Sequence, residues 1–150
     1  MKELFTFCGK KVLIDDVDYE EWKHLSLNWC HNAVRVRALN KALAACILKI
    51  GSHENLVPDH IDRDPLNCQR YNLRRATRRQ NTQNQKLRSS NESGYKGVSW
   101  HKTRKKWQAY IMADYKRQHL GLFLSAKEAA IAYNEAALRL HGEFAAINVL

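Results

Sequence analysis

The stretch DHIDRDPLNCQRYNLRRATRRQN, Asp59 to Asn81, decides how the rest of the chain is read. An Asp-His pair opens it, and Asn72 and Asn81 follow the His at intervals of twelve and then nine residues. Asp62-Arg63-Asp64-Pro65 breaks regular structure, so residues 62–71 are expected as a loop. Before the loop, Leu56-Val57-Pro58 reads as a brief strand delivering Asp59 and His60; after it, Leu73 begins a second. Thr77-Arg78-Arg79-Gln80 has the form of a capping box, which starts a helix at Thr77 and puts Asn81 near its first turn. Two short strands, a loop and a helix then bring Asp59 and Asn81 towards each other.

These residue types suit phosphodiester hydrolysis. Water is a poor nucleophile at neutral pH, and an imidazole with a pKa near 6.5 can take its proton. A hard divalent cation, Mg²⁺ or Mn²⁺, held by a carboxylate and an amide oxygen, can neutralise the scissile phosphate and keep sites for water and substrate. Asp62 and Asp64 are rival ligands, read instead as loop-formers. No acidic residue occurs from Pro65 to Asn91, while Arg70, Arg74, Arg75, Arg78, Arg79, Lys86 and Arg88 fall in that window. Basic charge gathered beside a metal-ligand pattern is the footprint of a phosphate-binding surface.

The bulk numbers agree. The chain has 150 residues, enough for one ordinary domain or two small ones, and a formal net charge of +10. Such a charge draws polyanions. Cys8, Cys30, Cys46 and Cys68 are widely spaced without a C-x-x-C pair, which argues against structural zinc and a disulfide framework. The N-terminus lacks an apolar leader, and the longest apolar run, Ala42 to Leu48, is too short to span a bilayer. A soluble cytoplasmic protein is expected, with no membrane partner and no protein partner implied.

Residues 1–50 read as a small α+β lead-in without chemistry of their own. Glu3–Phe7 and Lys11–Ile14 flank Gly9 as a hairpin, and Asp18 with Glu21 suggests a helix start before Trp22 and Leu25. Ala33–Arg37 alternates, with Val34 and Val36 inward and Arg35 and Arg37 outward. Lys41–Ile50 is a short helix or a buried strand; its pattern fits both.

The Asp59–Asn81 segment resembles an HNH nuclease motif in the ββα-metal arrangement, in the variant with Asn at the third position that phage and intron-associated endonucleases carry. The resemblance implies that Asp59 and Asn81 ligate one divalent cation, that His60 is the general base, and that Asn72 ties the loop so that His60 is aimed. Cys68 stands where relatives often have Asn, and Cys46 where they often have His. The arginines Arg70, Arg74, Arg75, Arg78 and Arg79 would lie against phosphates.

After a polar linker at residues 89–93, Tyr95–His101, Trp107–Ala113 and Arg117–Phe123 read as three strands joined by basic turns. Ser125-x-x-Glu128 opens an amphipathic helix, Ala126 to His141, stopped by Gly142, with Ala129, Ala130, Tyr133, Ala137 and Leu140 as its core stripe. With GYKGVSW at its start and GEFAAINVL at its end, this region resembles the DNA-binding domain of plant ethylene-response (Apetala-type) factors, whose exposed sheet face enters the major groove. That resemblance implies a DNA-reading face of Lys96, Ser99, His101, Tyr110, Met112, Arg117 and His119.

The expected fold class is therefore α+β: a lead-in (1–50), an HNH ββα-metal nuclease (51–88), a linker (89–93) and a three-stranded antiparallel sheet backed by one helix (94–150). The expected function is a metal-dependent, site-preferring HNH endonuclease on double-stranded DNA, a monomeric nickase of the phage homing type working in the host cytoplasm. The rival readings are a non-catalytic DNA-binding regulator with a decayed nuclease motif and an RNA-directed nuclease or binder.

Overall fold

Short alternating segments broken by turn residues make a set of small sheets. β1 (Lys2–Phe5) pairs antiparallel with β2 (Lys11–Ile14) across a turn in which Gly9 has a φ of 78°. α1 (Asp16–Trp22) follows. It starts two residues before the expected Asp18, because Asp18 points inward and is buried rather than opening the helix. β3 (Leu27–Cys30), β4 (Ala33–Val36) and β5 (Lys41–Ala42) form an antiparallel sheet in that order. His31 and Asn32, both at positive φ, make its first turn, where the left-handed backbone matches strand twist. Val34 and Val36 are buried, and Leu43–Ile47 settles as a helix, α2.

β6 (Val57–His60) and β7 (Leu73–Ala76) are antiparallel and lead into α3 (Arg78–Gln83). The capping box is formed: the Gln80 N–H donates to Thr77 Oγ1 at 3.2 Å and the Thr77 N–H to Gln80 Oε1 at 2.8 Å. The computed structural model describes residues 1–87 and 89–150, and the chain falls into two compact units, Met1–Thr82 and Gln83–Leu150. Arg88, counted in the basic run, lies outside the described residues. In the first unit one hydrophobic core joins Leu4, Val12, Ile14, Trp22, Leu27, Val36 and Leu43 to Cys68 and Leu73. The elements read as a lead-in thus share their core with those carrying the Asp-His pair.

In the second unit β8 (Val98–His101), β9 (Lys106–Ala113) and β10 (Lys116–Phe123) make an antiparallel sheet with β9 central, covered by α4 (Ala126–His141). The Ser125 hydroxyl caps α4 by accepting the Glu128 N–H at 3.1 Å, and Gly142 ends it at a φ of 55°. Ala129, Ala130, Tyr133 and Ala137 are buried as the helical period requires; Leu140 is not, and Ala136 and His141 take up the inner face instead. Most of these are small, so the helix lies close on the sheet. Asn91 and Ser93, read as linker, bind the start of β8: Ser93 Oγ donates to the carbonyls of Tyr95 and Val98 at 3.0 and 2.9 Å.

Candidate active site

Antiparallel pairing of β6 with β7 sets Asp59 opposite Arg74 and His60 opposite Leu73. The chain between them must turn back while its polar backbone stays satisfied, and Asn72 does most of this. It is buried; its Oδ1 accepts the Asp62 N–H, and its Nδ2 donates to Asp62 Oδ1 and to the Asn67 carbonyl, each at 2.9 Å. Asp62 also accepts from the Asp64 N–H and from Asn67 Nδ2, both at 2.8 Å, and Asp64 accepts the Leu66 N–H at 3.0 Å. Burial alone would raise the Asp62 carboxyl, but these donors hold it below its ordinary range. Both aspartates are occupied in building the loop.

The loop is in turn fastened to the N-terminal elements. Leu13 and residues 66–68 exchange backbone hydrogen bonds at 2.8 Å, Leu13 N–H to the Leu66 carbonyl and Cys68 N–H to the Leu13 carbonyl. Asp15 accepts the Arg70 N–H at 2.7 Å and Gln69 Nε2 at 3.2 Å. The Arg70 guanidinium grips buried Asp18 through Nε and Nη2 at 2.7 and 2.6 Å. Removing one partner leaves the other charge without its match. Arg70 is half in water, which discounts the effect. Asp18→Asn is expected to cost the first unit about 2 kcal/mol, read as a lower melting temperature; an unchanged melt would show the clamp to be dispensable.

His60 is half-buried at the end of β6, with Nε2 4.0 Å from Cys68 Sγ. Burial lowers its pKa, against the opposing pull of Asp62, Asp59 and Asp64, so the ring is neutral at pH 7. Burial, helped by Asp64 and Asp62, pushes the Cys68 thiol up to about 12, so the neighbour on that side is uncharged. Asp59 is buried and Arg74 Nε donates to its Oδ2 at 2.8 Å. Asn81 is half-buried on α3, with its N–H on the Thr77 carbonyl.

Among the five arginines read as phosphate contacts, Arg70 is on Asp18 and Arg74 on Asp59. Arg75 closes the end of α2 by donating to the carbonyls of Leu48 and Lys49 at 2.9 and 3.0 Å, and pairs with Glu54. Arg78 and Arg79 stand on α3, Arg78 exposed. Among the described residues, no three His, Cys, Asp or Glu side chains gather as a metal site. A carboxylate and an amide oxygen, the donor types of Asp59 and Asn81, are those a hard cation takes together with water and phosphate, and not those of a protein-enclosed zinc.

Residues 44–83 match the family model of the HNH endonucleases. The chain is also 40% identical over 87 residues to Protein 3.8 of Escherichia phage T7, a span covering 58% of this chain and 71% of that protein. The chain belongs to a family of phage HNH-type proteins. No solved structure matches it.

The HNH match runs from α2 through β6, β7 and α3, so it contains Asp59, His60, Asn72 and Asn81 and ends at Gln83, the first residue of the second unit. The bracing by Asp15, Asp18, Asn67 and Gln69 escaped the sequence reading. The clustering of Asp15, Asp16, Asp18, Glu20 and Glu21 was its visible signal, and nothing local says that the partner of Asp15 and Asp18 lies over 50 residues away.

In the second unit of this HNH-type protein, register puts Ser99, Gln108, Tyr110, Met112, Arg117 and His119 on one face, with His101 paired to Lys106 at its end. The Arg117 guanidinium stacks 3.6 Å from the centre of the Tyr110 ring, and Met112 is exposed. A bulge at Leu120 follows His119 and shifts the register before Gly121. Lys96 behaves differently from the rest of the expected face: its ammonium holds the carbonyls of Gln83 and Gln85, and its backbone is pinned by Asn148.

Proposed function

We propose that this HNH-type protein is a metal-dependent endonuclease that nicks double-stranded DNA at preferred sites, in the manner of a free-standing phage homing enzyme. The observation that carries the reading is His60, kept neutral by burial, beside buried Asp59 at the end of a loop that Asn72 and Asp62 lock. Asp59 and Asn81 would hold the cation, Mg²⁺ or Mn²⁺. When bound, it supplies charge neutralisation at the scissile phosphate and the leaving 3′-oxygen. His60 accepts the proton of the attacking water, and Asn72 fixes the loop that aims the ring. Arg78 and Arg79 are the arginines of the basic run set on α3, and they suit phosphate contacts.

The second unit supplies DNA recognition in this reading, through Ser99, His101, Tyr110, Met112, Arg117 and His119. The exposed basic turn of Lys102, Arg104 and Lys105 adds phosphate affinity. Its likeness to the ethylene-response-factor domain rests on a three-stranded sheet under one helix and on the quoted sequence ends.

Supercoiled plasmid incubated with Mg²⁺ or Mn²⁺ is expected to relax to open circles, and EDTA to stop the reaction. One HNH unit per chain predicts that a monomer nicks one strand; single-step linearisation by a monomeric protein would count against this. Tight, salt-sensitive binding without cleavage in either metal would turn the reading to a DNA-binding regulator.

A further inference from the structure

The Asp59 carboxylate is not presented to water in the DNA-free protein: it is buried, and the guanidinium of its cross-strand neighbour Arg74 lies on it at 2.8 Å. Arg74 is itself largely enclosed, with 13% of its side chain exposed. An arginine in this position opposes a divalent cation at the same carboxylate by like charge. It is also a five-donor fork suited to phosphate.

We propose that Arg74 is a gate on Asp59, holding the carboxylate against metal until a phosphate of bound DNA draws the guanidinium away. The inference rests on the reading of Asp59 as a metal ligand. Cation and DNA then load together, since each favours the state in which Arg74 has left Asp59. By reciprocity, DNA raises metal affinity by the factor by which metal raises DNA affinity. The gate would keep metal-loaded, cleavage-competent protein scarce away from DNA.

The contrast with Arg70 and Arg75 supports the assignment. Arg70 joins the loop to α1 and Arg75 caps α2, so both hold elements of the first unit together. Arg74 instead faces a residue directly across a two-stranded ladder that the β6–β7 backbone already holds.

The test is Mn²⁺ binding followed by electron paramagnetic resonance, in a His60→Ala background that slows cleavage, with and without mixed-sequence duplex DNA at low salt. The gate predicts that duplex tightens Mn²⁺ binding about tenfold or more. Arg74→Gln, which keeps a donor near Asp59 but removes the charge, is expected to bind Mn²⁺ about tenfold tighter without DNA and to lose most of the DNA effect. Arg74→Lys, which keeps the charge, should retain the coupling, and thermal melts verify that each variant is folded.

If Arg74→Gln binds Mn²⁺ no tighter than its parent while Asp59→Asn abolishes binding, the gate is overturned and the metal site stands. If Asp59→Asn leaves Mn²⁺ binding intact, the metal-ligand reading falls and takes the gate with it. The buried ion pair gives Arg74 a charge-dependent effect in the absence of DNA. What separates a gate from simple like-charge repulsion is the loss of the DNA effect on Mn²⁺ binding in Arg74→Gln.

Discussion

Replacing His60 by Ala is expected to lower kcat for DNA nicking by about 10²–10⁴-fold while DNA affinity stays near that of the parent. That range is what a positioned proton acceptor contributes, the role proposed for His60. Burial is the leading influence on its pKa and lowers it, outweighing Asp62, Asp59 and Asp64. The ring accepts a proton only when neutral, and its neutral form is favoured in the fold. The acid limb of kcat should therefore lie below the ordinary histidine value of about 6.5 and fall away only as pH drops through the lowered pKa. The same linkage acts on stability: the unfolded chain takes up the proton more readily, so stability is lost as pH falls below the unfolded value. Melting curves at each pH separate the two losses. An acid limb at or above 6.5 in folded protein, or a His60→Ala variant within a few-fold of the parent, would sink the assignment.

How much of this was legible depends on how local the signal was. Thr77 and Gln80, three residues apart, announce a helix start because both partners of the cap lie within one turn. Ser125 and Glu128 do the same for α4. Asp59, His60, Asn72 and Asn81 stood out by type and spacing, and the HNH match spans all four. What the spacing did not disclose was the company they keep. Acid-free sequence around the arginines suggested guanidinium groups open to phosphate, yet Asp18, Asp59 and Glu54 reach them from other elements. Lys96 looked like a sheet-face residue by its place in GYKGVSW, but it precedes β8 and its ammonium finds the carbonyls of Gln83 and Gln85. Leu140 fitted the helical stripe of α4 and is partly exposed, since the helix has by then reached its last turn and His141 reaches the Met112 carbonyl at 2.9 Å. Periodicity reports which face of an element is apolar; it does not report what an element far along the chain brings to that face.

Gly97→Ala is expected to destabilise the second unit by about 3–5 kcal/mol, through two separable causes. At a φ of 75° an L side chain strains the backbone, roughly 1–2 kcal/mol. A Cβ there would also stand 2.1 and 2.4 Å from two Tyr133 ring carbons and 2.7 Å from the Tyr110 carbonyl oxygen. Tyr133 is buried, in a helix brought close to the sheet by Ala129, Ala130, Ala136 and Ala137, so the ring has no room to retreat. The Gly97 carbonyl also accepts the Tyr110 N–H at 2.9 Å, which fixes the glycine against β9. Gly94→Ala is the control: its φ is likewise 75° but its added Cβ meets nothing within 4 Å, leaving strain alone. For a unit of this size the Gly97 variant should melt roughly 12 °C or more below the parent, and the Gly94 variant several degrees below it. Equal melting of the two would refute the collision. Because Gly97 belongs to the unit assigned to DNA recognition, the same variant should blur the preference among nicking sites while His60-dependent nicking continues. Unchanged site preference in a protein whose second unit has melted would remove that unit from recognition altogether.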